Sequence, residues 1–187
     1  MHLIAVGLAG WLFVMYQFGD LALPERFVML RTGMISLILL VASFAVTPIS
    51  KLTGWRQLVP CRRPLGVYGF CFAGAHLFVY AYLENALEWD LIWRDLGERP
   101  AMSVGLISLI LLIPLALTST AGWQRRLGKR WKVLHRLVYL AIPLAAAHFY
   151  LLDRDFKQLP LTFAIIVAVL LVLRLPLLRL VTRPKTT

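Results

Sequence analysis

Three histidines lie inside long apolar stretches of this sequence: His76, His135 and His148. An ionisable side chain in hydrocarbon is costly, and such residues usually serve a function. Neutral imidazole nitrogens are common ligands of metal ions and of haem iron. The three histidines therefore predict a bound metal or haem as the chemistry of this chain.

The spacing of the histidines favours a pair on different helices. His135 and His148 are separated by roughly 20 Å along a helix axis, which is too far for one metal ion. If the third and fifth apolar stretches run in the same direction, His76 and His148 lie at similar depth. Two imidazoles on opposite sides of a haem leave no axial position for substrate, which favours one-electron transfer. We expect a cross-helix pair of His76 and His148.

The role of His135 is less determined by its spacing. On an ideal helix His135 and His148 point roughly 140° apart, although a kink at the intervening Pro143 would re-phase them. Arg62 and Arg63 lie near the depth where a partner for His135 is expected. Arginine does not readily ligate iron, but it pairs with a haem propionate, a flavin phosphate or a lipid phosphate. A lipid-facing role explains both arginines equally well.

The elements that position these residues are six apolar stretches. The chain is 60% apolar with a mean hydropathy of +0.76, which indicates a polytopic membrane protein. Most stretches approach the roughly 20 residues that cross a bilayer as a helix. The first lacks a basic leader and a cleavage motif, so we interpret it as a retained helix. We predict one all-α domain over residues 1–187, with helices at 3–18, 28–47, 65–83, 101–118, 133–152 and 159–178.

The charges predict how these helices are oriented. Lysine and arginine concentrate in cytoplasmic loops of membrane proteins, so topology explains the formal net charge of +11 better than nucleic acid binding does. Both termini should therefore be cytoplasmic. The basic residues of the second connection, the fourth connection and the C-terminal segment are Lys51, Arg56, Arg62, Arg63, Arg125, Arg126, Lys129, Arg130, Lys132, Arg174, Arg179, Arg183 and Lys185. The acidic residues of the third connection are Glu84, Glu88, Asp90, Asp95 and Glu98.

Other common chemistries have no carrier in the sequence. The two cysteines, Cys61 and Cys71, form neither a CxxC nor a CxxCH pattern, which argues against a disulfide framework and covalent haem attachment. There is no GxGxxG, Walker or HExxH motif. We identify no internal repeat in the sequence. Any chemistry is therefore expected within the helical bundle.

Several short motifs carry a family resemblance. They are Thr47-Pro48 at the end of the second stretch, Arg62-Arg63 followed by Leu65-Gly66, His76, Thr118-Ser119-Thr120, Leu127-Gly128-Lys129-Arg130-Trp131, and Leu134-His135-Arg136-Leu137-Val138-Tyr139 with His148 downstream. Over nearly the whole chain this pattern resembles the MsrQ family, formerly called YedZ, within the ferric reductase-like transmembrane group. The wider group often carries two histidines on each of two helices. The third stretch here has only one, so the resemblance does not extend to a second bis-histidine haem.

The resemblance implies a subunit of the bacterial inner membrane that holds haem b. Such a subunit takes electrons from the quinone pool and passes them to MsrP, a periplasmic molybdenum enzyme that repairs oxidised methionine. It performs no substrate chemistry of its own. The resemblance also implies FMN, although the sequence has no flavin fingerprint. We expect flavin or quinone contacts near His135, Arg62 and Arg63.

Two alternatives fit the same residues. A stand-alone ferric or cupric reductase would need a separate cytosolic flavin reductase, since no NADPH-binding domain fits within this chain. A transporter or structural membrane protein would use the histidines to bind a metal ion or to hydrogen-bond across helices. This hypothesis predicts a colourless protein with carboxylates along a path through the middle of the membrane. Glu25 and Glu84 lie at helix ends instead, which disfavours transport.

Overall fold

The computed structural model describes residues 2–152 and 157–174, and within these ranges every regular element is helical. This confirms the all-α prediction for the described part of the chain. The α-helices are α1 His2–Phe18, α2 Pro24–Thr53, α3 Arg62–Phe78, α4 Trp89–Glu98, α5 Pro100–Leu117, α6 Ala121–Leu127, α7 Lys129–Leu134, α8 Val138–Leu152 and α9 Gln158–Val172. A π-helical segment, Val79–Glu84, continues α3, and 3₁₀ segments occupy Arg56–Cys61 and His135–Leu137.

Four helical segments are long and apolar enough to cross a membrane: Pro24–Thr53, Arg56–Glu84, Pro100–Leu117 and Lys129–Leu152. The helices α1 and α9 are also apolar, but they have only 17 and 15 residues in the described chain. The predicted last stretch, 159–178, ends outside the described residues. The fold therefore supports a multi-pass membrane protein, and six crossings stay a prediction.

The second helix is longer than its predicted range of 28–47. It begins at Pro24, whose fixed backbone angle suits a first helical turn, and it ends where Gly54 adopts a left-handed φ of 78°. Pro48 lies inside the helix instead of closing it. A proline cannot donate to the carbonyl four residues earlier, that of Phe44. The guanidinium of Arg174 donates to this carbonyl, so the carbonyl keeps a hydrogen-bond partner where the helix continues through Pro48.

Two helical hairpins form the centre of the bundle. The first hairpin packs α2 against α3, the second packs α5 against α8, and contacts of α3 with α5 and of α2 with α8 join them. Among the described residues, α3 and α8 have no extended contact with each other. The hairpins bury a shared apolar core that includes Leu37, Leu40, Phe44, Leu112 and Ile142. The helices α1 and α9 pack outside, against α2 and α8 respectively.

The two hairpins are related by a shift of 72 residues along the chain, and our expectation of no internal repeat was wrong. Ser36 Oγ donates to the Gly69 carbonyl, and Ser108 Oγ donates to the Ala141 carbonyl, both at 2.8 Å. The sequence carries the same signal. The pattern Gly-x-Ile-Ser-Leu-Ile-Leu-Leu occupies both 33–40 and 105–112, and Ala-x-Ala-His occupies both 73–76 and 145–148.

The packing of the first hairpin generates a stability prediction at Gly69. A Cβ atom there would lie 2.8 Å from Leu40 Cγ and 3.2 Å from the Leu40 backbone nitrogen. We expect Gly69→Ala to destabilise the fold by about 1–3 kcal/mol through overpacking, measured as a lower unfolding midpoint in detergent. Gly10→Ala is the control, since a Cβ at Gly10 meets no atom within 4 Å. Equal midpoints for the two variants would contradict this packing.

Candidate functional site

His76 on α3 and His148 on α8 face each other across the two hairpins. Their ring centroids are 6.2 Å apart and their planes meet at 75°. The two residues are equivalent under the 72-residue shift, which explains why they lie at the same depth in the bundle. The structure thus brings together the two histidines that the spacing paired.

Each imidazole is held by a backbone carbonyl of the helix beside it. His76 Nδ1 donates to the Met29 carbonyl of α2 at 2.8 Å, and His148 Nδ1 donates to the Ala101 carbonyl of α5 at 2.6 Å. Because a carbonyl only accepts hydrogen bonds, the proton of each neutral ring lies on Nδ1. Nε2 is then the nitrogen with a free lone pair. Such second-sphere hydrogen bonds orient metal-binding histidines and increase their basicity.

A glycine one helical turn further on makes room for each ring. A Cβ atom at Gly33 would lie 3.0 Å from His76 Nδ1, and one at Gly105 would lie 2.5 Å from His148 Nδ1. Any larger residue would push the imidazole away from its carbonyl. The sequence analysis did not identify these two glycines, although the repeated Gly-x-Ile-Ser pattern marks both of them.

The geometry of the pair fits haem iron. A metal–imidazole bond is about 2 Å, so two imidazoles on one metal place their ring centroids roughly 6 Å apart. No group of three or more metal-ligating side chains occurs among the described residues, so the donor set here is the two imidazoles. Two neutral nitrogens on opposite sides suit haem iron better than a free cation, which needs further ligands.

His135 occupies a different environment and has no second histidine beside it in the described chain. Its ring stacks on Trp131 with centroids 3.9 Å apart, and its Nδ1 lies 3.2 Å from the Trp131 carbonyl. The helix changes its winding at His135–Leu137, whereas Pro143 lies within the continuous α8. The role of His135 as a haem ligand therefore stays a prediction.

The predicted arginines lie where α3 begins. The carbonyl of Arg62 accepts a hydrogen bond from Ser43 Oγ at 2.7 Å, which fixes the start of α3 against α2. Arg63 is exposed and is equivalent to His135 under the 72-residue shift. At these equivalent positions the first hairpin has Arg63 and the second has His135. At the positions of the imidazole pair, both hairpins have a histidine.

Comparison with known families assigns the class of this bundle. Residues 32–146 match the family described as ferric reductase like transmembrane component. The matched range runs from α2 into α8, includes His76 and His135, and stops just before His148. The two-hairpin bundle of this chain, with its cross-helix imidazole pair, is therefore a membrane domain of the ferric reductase-like class.

Individual relatives narrow this class. The chain is 39% identical to the haem-binding subunit MsrQ of protein-methionine-sulfoxide reductase from Caulobacter vibrioides over 135 residues, which are 71% of this chain and 64% of that protein. It is 40% identical to the MsrQ of Xanthomonas campestris pv. campestris (90% and 79% covered) and 41% identical to that of Rhodospirillum rubrum (88% and 80% covered). The chain belongs to the MsrQ family. No solved structure matches it.

The glycine beside His148 gives a direct test of the site. Gly105→Ala should displace the imidazole from the Ala101 carbonyl and weaken haem binding roughly 10- to 100-fold, as loss of second-sphere support does elsewhere. Haem per chain and the reduced absorption spectrum measure this effect. Gly7→Ala is the control, because a Cβ there meets no atom within 4 Å. Wild-type haem content in Gly105→Ala would show that the glycine does not position His148.

Proposed function

We propose that this protein is the haem b-containing electron-transfer subunit of a methionine sulfoxide reductase system in the bacterial inner membrane. The observation that carries the proposal is the His76–His148 pair, with ring centroids 6.2 Å apart and both Nδ1 atoms bonded to backbone carbonyls. The MsrQ relatives are named as haem-binding subunits, which agrees with this donor set.

The side chains at the pair favour electron transfer over substrate chemistry. A bound haem supplies a one-electron ferric/ferrous couple at this position. His76 and His148 would hold the haem iron through their Nε2 atoms, and this donor set favours electron transfer over binding of a substrate at the iron. The carbonyls of Met29 and Ala101 fix the ring orientations, so little rearrangement is needed when the charge at the site changes by one electron. The protein itself then breaks no substrate bond.

The distribution of charge supports a direction for this transfer. The acidic residues that the structure describes lie near the end where α2 begins and α3 ends, which we call the acidic end; they are Asp20, Glu25, Glu84, Glu88, Asp90, Asp95 and Glu98. Lys and Arg concentrate at the opposite, basic end. By the positive-inside rule the basic end is cytoplasmic, which gives six crossings with both termini inside. The histidine pair then lies nearer the periplasmic face, where MsrP would accept electrons.

The donor side of the pathway lies at the basic end in this proposal. We assign quinone contacts, and FMN if it is bound, to the neighbourhood of His135, Arg62 and Arg63. The cationic side chains there suit the phosphate of a flavin or of membrane lipid. Electrons would come from the quinone pool, with a cytosolic flavin reductase as the alternative donor.

A stand-alone ferric or cupric reductase is the second candidate, favoured by the match of residues 32–146 to the ferric reductase family. Both functions use the same imidazole pair. They differ in the acceptor, so mixing the reduced protein with MsrP or with ferric citrate discriminates between them. Rapid reoxidation by MsrP alone supports the proposed function.

The haem assignment is tested by the dithionite-reduced minus oxidised spectrum of the purified protein, with haem quantified per chain. We expect sharp b-type bands in the wild type. His76→Ala and His148→Ala should abolish the main haem, whereas His135→Ala should cause only partial loss. Full haem content in both of the first two variants would refute the pairing, and a featureless wild-type spectrum would refute the function.

The acidic end predicts how the partner docks. Glu88, Asp90 and Glu98 are exposed, whereas Asp95 accepts a hydrogen bond from the Tyr80 hydroxyl at 2.8 Å and pairs with Arg99 at 3.3 Å. The triple variant Glu88→Lys, Asp90→Lys, Glu98→Lys should slow electron transfer to MsrP roughly tenfold at low salt and leave haem content unchanged.

Stopped-flow reoxidation of the reduced protein by MsrP measures this effect. The control reverses an exposed charge at the basic end, Arg125→Glu. If the triple variant transfers electrons at the wild-type rate, or if the control is slowed equally, the acidic surface does not steer MsrP.

A further inference from the structure

Arg174, which follows α9, is buried to an unusual degree for an arginine. Only 9% of its surface is exposed, and it is the one charged residue among those buried in the described chain. Buried cations are normally paired with an anion, because an unpaired charge in an apolar environment is costly. A cation buried in this way therefore requires a counter-charge close to it.

The contacts of Arg174 are neutral. Its guanidinium lies 3.9 Å from the Phe44 ring centroid and 5.6 Å from that of Tyr139. One nitrogen donates to the Phe44 carbonyl that Pro48 leaves without a helical partner, and another lies 3.5 Å from the Tyr139 hydroxyl. Nε has no hydrogen-bond partner among the described residues. Aromatic faces and one carbonyl thus surround the cation without neutralising it.

No acidic side chain among the described residues forms an ion pair with Arg174. The described Asp and Glu residues lie at the acidic end of the bundle, and the sequence has none after Asp155. The charge nearby is instead another cation, that of Arg62. The two arginines lie at one level of the bundle, because Ser43 bonds to the Arg62 carbonyl and the adjacent Phe44 bonds to Arg174.

We propose that Arg174 and Arg62 form an oxyanion-binding site in the basic half of the bundle. The ligand group is a carboxylate or phosphate of an amphipathic molecule, which would neutralise both guanidinium groups. Three sources carry such a group: the carboxylates of a haem, the phosphate of FMN and the headgroup of a phospholipid. The site lies away from the histidine pair, and it rests on the donor-side assignment of Arg62 in the proposed function, to which it adds Arg174.

The competing role for Arg174 is structural. By donating to the Phe44 carbonyl it ties the end of α9 to α2, and this contact alone would stabilise the fold. Arg174→Gln separates the two roles, because an amide retains a donor for the carbonyl and removes the charge. Arg174→Lys keeps the charge. A purely structural role predicts similar behaviour of both variants.

The experiment compares wild type, Arg174→Gln, Arg174→Lys and Arg62→Gln, purified from the same membranes and matched for helical circular dichroism. Haem, FMN and phospholipid per chain are quantified by mass spectrometry during stepwise detergent washing. We expect one of the three to be held roughly tenfold more weakly in Arg174→Gln and Arg62→Gln, with Arg174→Lys closer to wild type. The ligand that is lost identifies the source of the oxyanion.

Arg125→Gln is the matched control, since it removes the same charge from an exposed position in the basic half. It should retain all ligands. The site is refuted if both Gln variants retain haem, FMN and phospholipid at wild-type levels, if the control loses them equally, or if the wild type holds none of the three. Should Arg174→Gln fail to fold, Arg62→Gln decides the question, because it leaves the contacts of Arg174 with Phe44 and Tyr139 in place.

Discussion

The hydrogen bond from each histidine Nδ1 to a backbone carbonyl of the neighbouring helix is the constraint on which the site depends. It fixes the tautomer, aims the other nitrogen, and joins α2 to α3 and α5 to α8 at the depth of the pair. The bond forms only because Gly33 and Gly105 let the rings approach the helix surface. The glycines, the carbonyls and the histidines therefore act as one unit in each hairpin.

The repetition of this unit after 72 residues explains the symmetry of the bundle. Two similar hairpins, each with a serine bonded across to its partner helix, bring two equivalent histidines together, with ring centroids 6.2 Å apart. The repeat is imperfect near the basic end, where Arg63 of the first hairpin is equivalent to His135 of the second. The basic half of the bundle therefore carries an arginine and a histidine at equivalent positions, whereas the acidic half carries two histidines.

The sequence predicted the helical class, the paired depth of His76 and His148, and the separation of acidic and basic connections. Hydrophobic runs and loop charges are strong local signals, and helical rise converts spacing into depth. The boundaries of α2 were wrong because Pro48 was expected to end it. A hydrogen bond from Arg174, 130 residues along the chain from Phe44, satisfies the carbonyl that this proline exposes, and no local pattern predicts such a contact.

By itself the sequence determined which residue types are available and at what depth they lie, because both follow from composition and from a fixed rise per residue. The tertiary structure alone decided which helices adjoin, and hence that His148 bonds to Ala101 and that Arg174 is buried beside Phe44. These contacts join residues far apart in the chain. Their formation depends on close packing of side chains and small residues between helices, which periodicity along one helix does not encode.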